Sequence, residues 1–202
     1  MKYLSIDIES TGLEKNSYLI EFAAIPFDTA TKKIEQSMLF HSLVQCPSFD
    51  SIRPLLDPWV IEHNKNLIIQ ANSKGLPILE FRKQFDDYLK SESIRQYFQN
   101  EKNDKITLFG KSLNALDLPM LHRDLGHTFM NKFFSHKVMD LTCFCFGLID
   151  LGLLPKGLDS SSELVKYFNI NVGVVAHTAT EDAINTADIY LRILNKLKDK
   201  IN

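Results

Sequence analysis

Apolar and polar residues alternate at the start of the chain, where Leu4, Ile6 and Ile8 are separated by polar side chains. A period of two is that of a β-strand with one buried face and one polar face. The segments 18–27 and 34–44 are rich in aliphatic and aromatic residues, and the residues between them have the composition of a turn. We therefore predict three successive strands that form an antiparallel meander.

The apolar pattern changes after these strands. Between 46 and 75 it is irregular and broken by prolines, which predicts a loop-rich insertion. Helical spacing follows over 78–89, and a short buried strand is predicted over 106–109 before further helices. Three strands followed by alternating helices and strands indicate an α/β fold. Because the chain has 202 residues, of which 45% are hydrophobic, we expect one domain that spans 1–202.

The charge of the chain restricts its partners. A formal net charge of -2 gives no strong field to hold a long polyanion, which argues against a high-affinity binder of duplex nucleic acid. A short nucleic-acid substrate held by a metal site remains compatible with this charge, because bound metal ions can be the largest local charges.

The cysteines and the apolar runs indicate a compartment. Cys46, Cys143 and Cys145 lack the paired spacing of zinc ligands, and we interpret them as reduced core thiols of an intracellular protein. The chain enters its first strand without the basic and apolar run of a secretory leader. The apolar stretch 138–154 is too short to span a membrane and contains two aspartates. We expect a cytoplasmic protein with no membrane partner.

Two acids stand near the end of the first predicted strand. Asp7 and Glu9 lie on its polar face, and their like charges repel unless a hard divalent cation lies between them. A solvated strand end would also carry such residues. In the residues that follow, Gly12 permits a close backbone approach, and Ser10 and Thr11 offer hydroxyl and amide groups to a sugar or phosphate.

A third acid, Asp117, follows the strand predicted at 106–109. Pro119 suits the first turn of a helix and Gly126 suits its end, so Asp117 is predicted to begin that helix. This position fits a metal ligand at the end of a strand. It also fits ordinary capping of a helix N-terminus, and the residue alone does not decide between them.

The last motif opens the final predicted helix. Thr178 and Glu181 have the spacing of a capping box, which predicts Thr178 as the N-cap and places Asp182 in the first turn. His177 then precedes the helix, on a segment free to move. A mobile base beside a fixed ligand suits hydrolysis.

Four other polar or aromatic residues allow more than one interpretation. Glu21, which is charged within an apolar strand, is either a further acid near the site or, as we favour, salt-bridged at a sheet edge. We interpret Asp140 as a structural turn or cap acid. Trp59 and His63 either meet a nucleobase or, as we favour, plug a loop onto the core.

The candidate acids and the histidine form an ordered set of motifs. Asp-x-Glu is followed by Thr11-Gly12-Leu13, then by a single Asp, then by His-x-x-x-x-Asp. This set resembles the DEDDh 3′→5′ exonuclease family, which includes oligoribonuclease, ribonuclease T and the proofreading subunits of replicative polymerases. The matches extend over nearly the whole chain. The resemblance implies a ribonuclease H-like fold, with a five-stranded mixed sheet flanked by helices.

The resemblance also implies roles for these residues. His177 would be the general base for the attacking water, and the reaction would release 5′-mononucleotides from the 3′ end of single-stranded RNA or DNA. Four acids would bind two divalent metal ions, Mg²⁺ or Mn²⁺, whose preference for oxygen ligands matches them. These four acids are Asp7, Glu9, Asp117 and Asp182.

Substrate contacts follow from the same resemblance. The backbone from Glu9 to Leu13, with Ser10, Thr11 and Gly12, would hold the terminal nucleotide, and Leu13 would pack on its base. The middle motif departs from the family pattern, because Leu116 replaces a Phe and the usual Asn before the acid is missing. Ser112 or the displaced Asn114 must serve in its place.

The alternative function is a non-catalytic module that keeps the fold and binds nucleic acid or a polymerase. Such modules usually lose an acid or the histidine, whereas all five residues are present here. A polymerase or a second copy of the chain are the protein partners that the resemblance leaves open.

Overall fold

The computed structural model describes residues 1–99, 105–170 and 178–201, and it contains a mixed β-sheet. The sheet runs in the order β3-β2-β1-β5-β6, and β4 also pairs with β2. The β1 strand pairs antiparallel with β2 and parallel with β5. The described strands are β1 (Lys2–Ser10), β2 (Leu19–Asp28), β3 (Lys33–Ile34), β4 (Phe40–Leu43), β5 (Leu108–Gly110) and β6 (Met139–Asp140).

The α/β class and the mixed sheet flanked by helices are confirmed, with six strands in the described part of the chain instead of five. The difference lies in the segment 34–44, where we expected one strand. A 3-10 helix at Gln36–Met38 divides it, and both resulting strands pair with β2. Polar residues at 36 and 37 interrupt the apolar run at this point.

The helices surround the sheet and begin soon after β4. They are α1 (Phe49–Ile52), α2 (Pro58–His63), α3 (Lys65–Lys74), α4 (Ile78–Lys90), α5 (Glu92–Phe98), α6 (Asp117–Leu125), α7 (His127–Phe133), α8 (Leu141–Asp150), α9 (Ser161–Tyr167) and α10 (Ala179–Ile201). The stretch 46–75 is therefore more helical than the loop-rich segment that we expected. Its helices are short, and Pro54 and Pro58 stand in the first turns of a 3-10 helix (Arg53–Leu55) and of α2, where a missing N–H costs nothing.

The two faces of β1 meet different helices. Leu4, Ile6 and Ile8 pack in a core with aromatic residues of α4 and leucines of α6. On the opposite face, the Ser5 hydroxyl donates to the Ala183 carbonyl of α10 at 2.7 Å. Because side chains alternate along a strand, Asp7 and Glu9 share the face that α10 covers.

Two expectations from composition can be compared with this fold. No helix among the described residues is long and apolar enough to cross a membrane. The three cysteines are free thiols, and Cys46 and Cys145 are buried. Cys143 is exposed, so its assignment to the core was wrong.

Candidate active site

Three carboxylates meet at the end of β1. Asp7 and Glu9 project from β1, and Asp182 comes from the first turn of α10. One carboxylate oxygen from each lies within 4.8 Å of the others. The β1 strand is paired on both sides, with β2 and with β5, which fixes the two strand acids in place.

The start of α10 brings Asp182 to these strand acids. The Glu181 N–H donates to the Thr178 hydroxyl at 3.2 Å, which confirms the predicted N-cap. Further along the first two turns, Ala179 and Ala183 pack against Ala23 and Ile25 of β2. Small side chains at this contact let the helix lie close to the sheet.

Asp117 begins α6 and is itself buried, at 7% exposure. The loop before it is attached to β6, because the Leu113 N–H donates to the Asp140 carboxylate at 2.7 Å. The same carboxylate caps α8 by accepting the Thr142 and Cys143 N–H groups, which confirms the capping role expected for Asp140. Since β1, β5 and β6 are parallel, their carboxyl ends lie at one edge of the sheet, and Asp117 follows that edge.

Proton binding by these acids reflects their crowding. Burial, followed by the charges of neighbouring acids, raises the pKa of Asp7 well above its usual range. Burial and the charge of Asp182 raise the pKa of Glu9 to about 8, although a hydrogen bond from Asn64 lowers it in part. Burial raises the pKa of Asp117 to about 7. Without a cation, the cluster therefore holds protons that ordinary carboxyls have lost at neutral pH.

The donor set fits a hard divalent cation. All three converging groups are carboxylates, and the charge of Asp117 is close enough to raise the pKa of Asp7 as well. Magnesium and manganese prefer oxygen ligands, and either ion would replace the protons that crowding now retains.

The hydroxyl groups in the loop after β1 form hydrogen bonds within that loop. The Ser10 hydroxyl donates to the Gly12 carbonyl at 2.8 Å, and the Thr11 hydroxyl accepts the Tyr18 N–H at 2.8 Å. Both side chains are buried, and these hydrogen bonds hold the shape of the loop, so contacts from the two residues to a sugar or phosphate stay a prediction. Leu13, by contrast, is 81% exposed.

A cavity of about 960 Å³ lies beside this loop. Thr11, Gly12 and Leu13 line one part of it, and Trp59 lines another. Trp59 is 54% exposed and stacks on His63 at a centroid distance of 4.3 Å. The favoured interpretation of Trp59 as a plug on the core was therefore wrong.

The remaining predicted residues occupy other positions. Ser112 is exposed, with its hydroxyl 3.0 Å from that of Thr142. Asn114 lines a separate cavity beside α6, together with His122 and Arg123. His177 lies outside the described residues.

Three polar residues near the site lie outside the predicted set of site residues. Glu21 lies directly opposite Glu9 in the β1–β2 register and forms an ion pair with His41 of β4 at 2.6 Å, which confirms the salt-bridged role. Asn64 donates to the Ser10 carbonyl at 3.2 Å and is buried. The sequence pointed to Glu21, because a charged residue within an apolar strand needs a partner. Nothing near Asn64 or His41 in the sequence points to the site.

Comparison with known proteins identifies the fold. No family model matches the sequence, and a search of curated proteins finds no match. Solved structures do match. Cell-death related nuclease 4 (CRN-4) superposes with a TM-score of 0.68 at 17% identity, over 96% of this chain and 64% of that one. The nuclease domain of 3′hExo, a DEDDh family member bound to rAMP, gives 0.67 at 16% identity, over 96% and 92%.

The chain has the fold of the DEDDh exonucleases. Pop2p of S. pombe, in a form with bound Mg²⁺ and Mn²⁺, also shares it, with a TM-score of 0.68 at 14% identity over 98% of this chain and 84% of that one. The chain spans less than two thirds of the length of CRN-4. The fold implied by the sequence motifs is thus confirmed.

Proposed function

We propose that this protein is a metal-dependent 3′→5′ exonuclease that hydrolyses short single-stranded RNA or DNA to 5′-mononucleotides. The observation that carries the proposal is the convergence of Asp7, Glu9 and Asp182 within 4.8 Å on a DEDDh exonuclease fold. Half-buried, clustered acids with raised pKa values at the carboxyl end of a strand are typical of functional sites.

Two divalent cations, Mg²⁺ or Mn²⁺, would be held by these three acids together with Asp117. When bound, such a pair supplies Lewis-acid stabilisation of the phosphate and of the attacking and leaving oxygens. The carboxylates themselves must give up their protons to bind cations, so we expect cation binding to release protons.

The proton of the attacking water would pass to His177. With an ordinary imidazole pKa of about 6.5, this side chain is neutral and able to accept a proton at mildly alkaline pH. It precedes the N-cap Thr178 directly, so its backbone is joined to the same helix start that fixes Asp182.

The cavity beside Thr11–Leu13 would hold the terminal nucleotide of the strand. Leu13 and Trp59 both line that cavity and present apolar and aromatic surface, and exposed aromatic side chains bind unstacked bases of any sequence. Buried Ser10 and Thr11 would hold the backbone of the loop.

The test is digestion of 5′-labelled single-stranded RNA and DNA, from dinucleotides to about twenty nucleotides, with Mn²⁺ and with EDTA. We expect a ladder that shortens from the 3′ end with Mn²⁺ only. Intact oligonucleotides at every length, together with metal-independent binding, would overturn the proposal and favour a non-catalytic module.

A further inference from the structure

Glu21 is a buried carboxylate beside the acid cluster that is not one of its proposed ligands. It is 4% exposed and stands directly across from Glu9 in the β1–β2 register. Two carboxylates opposite each other in a sheet repel, and a buried charge is costly unless it is paired. Such an arrangement requires compensating contacts.

Both oxygens of Glu21 have partners on other elements. Oε1 lies 2.6 Å from His41 Nε2 on β4, and Oε2 accepts the Ala179 N–H at 3.0 Å. Ala179 is the first residue of α10 and stands three residues before Asp182. One side chain thus joins β2, β4 and the start of the helix that carries a proposed ligand.

The contact between Glu21 and Ala179 constrains the position of the start of α10 relative to the sheet, which the N-cap does not. The Thr178 hydroxyl accepts the Glu181 N–H and so closes the helix on itself, but it does not attach the helix to the sheet. Among the residues that the structure describes, the side-chain hydrogen bonds that attach the helix near the site come from Glu21 at Ala179 and from Ser5 at Ala183, beside the packing of these two alanines on β2. Of these two contacts, only Glu21 carries a charge, which strengthens a hydrogen bond.

We propose that Glu21 and His41 form a positioning pair, which fixes the first turn of α10 so that Asp182 meets Asp7 and Glu9. Glu21 holds the backbone of the helix, and His41 holds Glu21 in the orientation that reaches Ala179. The role of the pair in hydrolysis rests on the proposed exonuclease function, whereas its role in cation binding does not need a nucleic acid.

Three variants and one control test the pair. Glu21→Ala removes the acceptor for Ala179, and Glu21→Gln retains an oxygen there. His41→Ala alters a side chain that is 41% exposed, so the fold should tolerate it. Asp28→Ala is the matched control, since Asp28 is a buried acid on the same strand and accepts the Ala30 N–H at 2.9 Å, at the end of β2 away from the site.

The readouts are the Mn²⁺ dissociation constant, hydrogen exchange of the Ala179 amide, and kcat and KM on a single-stranded oligonucleotide. In Glu21→Ala we expect Mn²⁺ affinity and kcat to fall by about tenfold or more, with KM within about twofold of wild type. Exchange at Ala179 should accelerate by about tenfold. His41→Ala should change Mn²⁺ affinity, kcat and exchange at Ala179 in the same direction but less. Glu21→Gln should keep most of the wild-type Mn²⁺ affinity and kcat.

The proposal is overturned if Glu21→Ala and His41→Ala leave Mn²⁺ affinity and exchange at Ala179 unchanged. It is also overturned if Asp28→Ala moves them equally, because the effect would then be a general loss of stability. If the wild-type chain cleaves no oligonucleotide, the proposed function fails alone, since the Mn²⁺ titration and the exchange rates still report on the pair.

Discussion

The acids on β1 and the acids at helix starts reach the same site by different means. Asp7 and Glu9 lie along a strand that is hydrogen-bonded on both sides, so the sheet itself sets their spacing. Asp117 and Asp182 each stand in the first turn of a helix. The backbone before or at each of these turns is held by one buried carboxylate, from Asp140 or from Glu21.

This difference predicts which substitutions should disturb the site most. Strand placement is shared among many backbone hydrogen bonds, and the loss of any one of them matters little. Helix placement near the site combines packing with a few side-chain hydrogen bonds between residues far apart in sequence, including one from a carboxylate at each helix start. A substitution remote from any proposed ligand should therefore displace Asp117 or Asp182, the helix half of the site, far more than Asp7 and Glu9, the strand half.

The largest effect should come from removing a ligand from either half. Asp7→Asn and Asp182→Asn should each lower kcat by about a thousandfold or more, because both halves hold the same cations. The metal-free variants should be at least as stable as wild type, since a repelling charge is gone. Single-turnover kinetics and thermal unfolding measure both quantities.

Asp188→Asn is the control, as a half-buried acid on the same helix paired with Arg192 at 2.8 Å. Full activity in Asp182→Asn would remove that residue from the site and contradict the expectation that strand and helix acids hold the same cations.

A smaller effect should follow from releasing the loop before Asp117. Asp140→Ala should cost about 3 kcal/mol of unfolding free energy, because it removes a helix cap and leaves the buried Leu113 N–H without its acceptor. It should also lower kcat by about tenfold through Asp117. Denaturant titration and steady-state kinetics test this.

Asp140→Asn keeps one acceptor oxygen, so it can cap α8 or hold the Leu113 N–H but not both, and it should recover only part of the activity. If Asp140→Ala loses stability but folds with wild-type kcat, the loop does not position Asp117.

The pH dependence of stability distinguishes crowded acids from solvated ones. The folded-state pKa of Glu9 is raised to about 8 and that of Asp117 to about 7, above their unfolded values. Raised pKa values stabilise the metal-free fold at low pH, and this stabilisation is lost as pH rises from about 4.5 to about 8. The melting temperature of the metal-free protein should therefore fall by roughly 5 °C across this range.

Saturating Mn²⁺ should reduce that fall, so its stabilising effect should be larger at pH 8.5 than at pH 5.5, as scanning calorimetry can measure. In Glu9→Gln the fall should be smaller even without metal. If the melting temperature falls equally steeply with pH in wild type and in Glu9→Gln, the raised pKa of Glu9 would be contradicted.

The smallest effect should come from the exposed helix that touches neither half. Trp59→Ala should raise KM for a single-stranded substrate by about fivefold and leave kcat unchanged, because a stacking surface is lost while the acids remain in place. Phe146→Ala is the control, as an exposed aromatic on α8 outside the cavity. Equal KM values for the two variants would exclude Trp59 from substrate binding.

These contrasts also explain which parts of the site could be predicted from the sequence. The alternation around Asp7 and the capping box at Thr178 are local patterns, and both led to correct structure. The contact between Glu21 and Ala179 joins residues 158 apart, and that between Asp140 and Leu113 joins residues 27 apart. No local pattern specifies such contacts, because they arise only when the sheet and helices assemble.

Other features of the structure were not predicted, for comparable reasons. The hydroxyls of Ser10 and Thr11, which we predicted to offer groups to a sugar or phosphate, also form hydrogen bonds with the backbone of the loop around Gly12. The sixth strand arose because a 3-10 helix divides one apolar run. Trp59 is exposed because it stands in the first turn of α2 beside the cavity, which its proline-rich neighbourhood did not indicate.

The most direct test of the account is the Mn²⁺ stoichiometry of the chain, measured by isothermal titration calorimetry without nucleic acid. The account predicts two ions per wild-type chain, and weakened binding of both when either Asp7 or Asp182 is replaced by Asn. Unchanged Mn²⁺ binding in Asp182→Asn would contradict it, because the strand and helix acids would then not form one metal site.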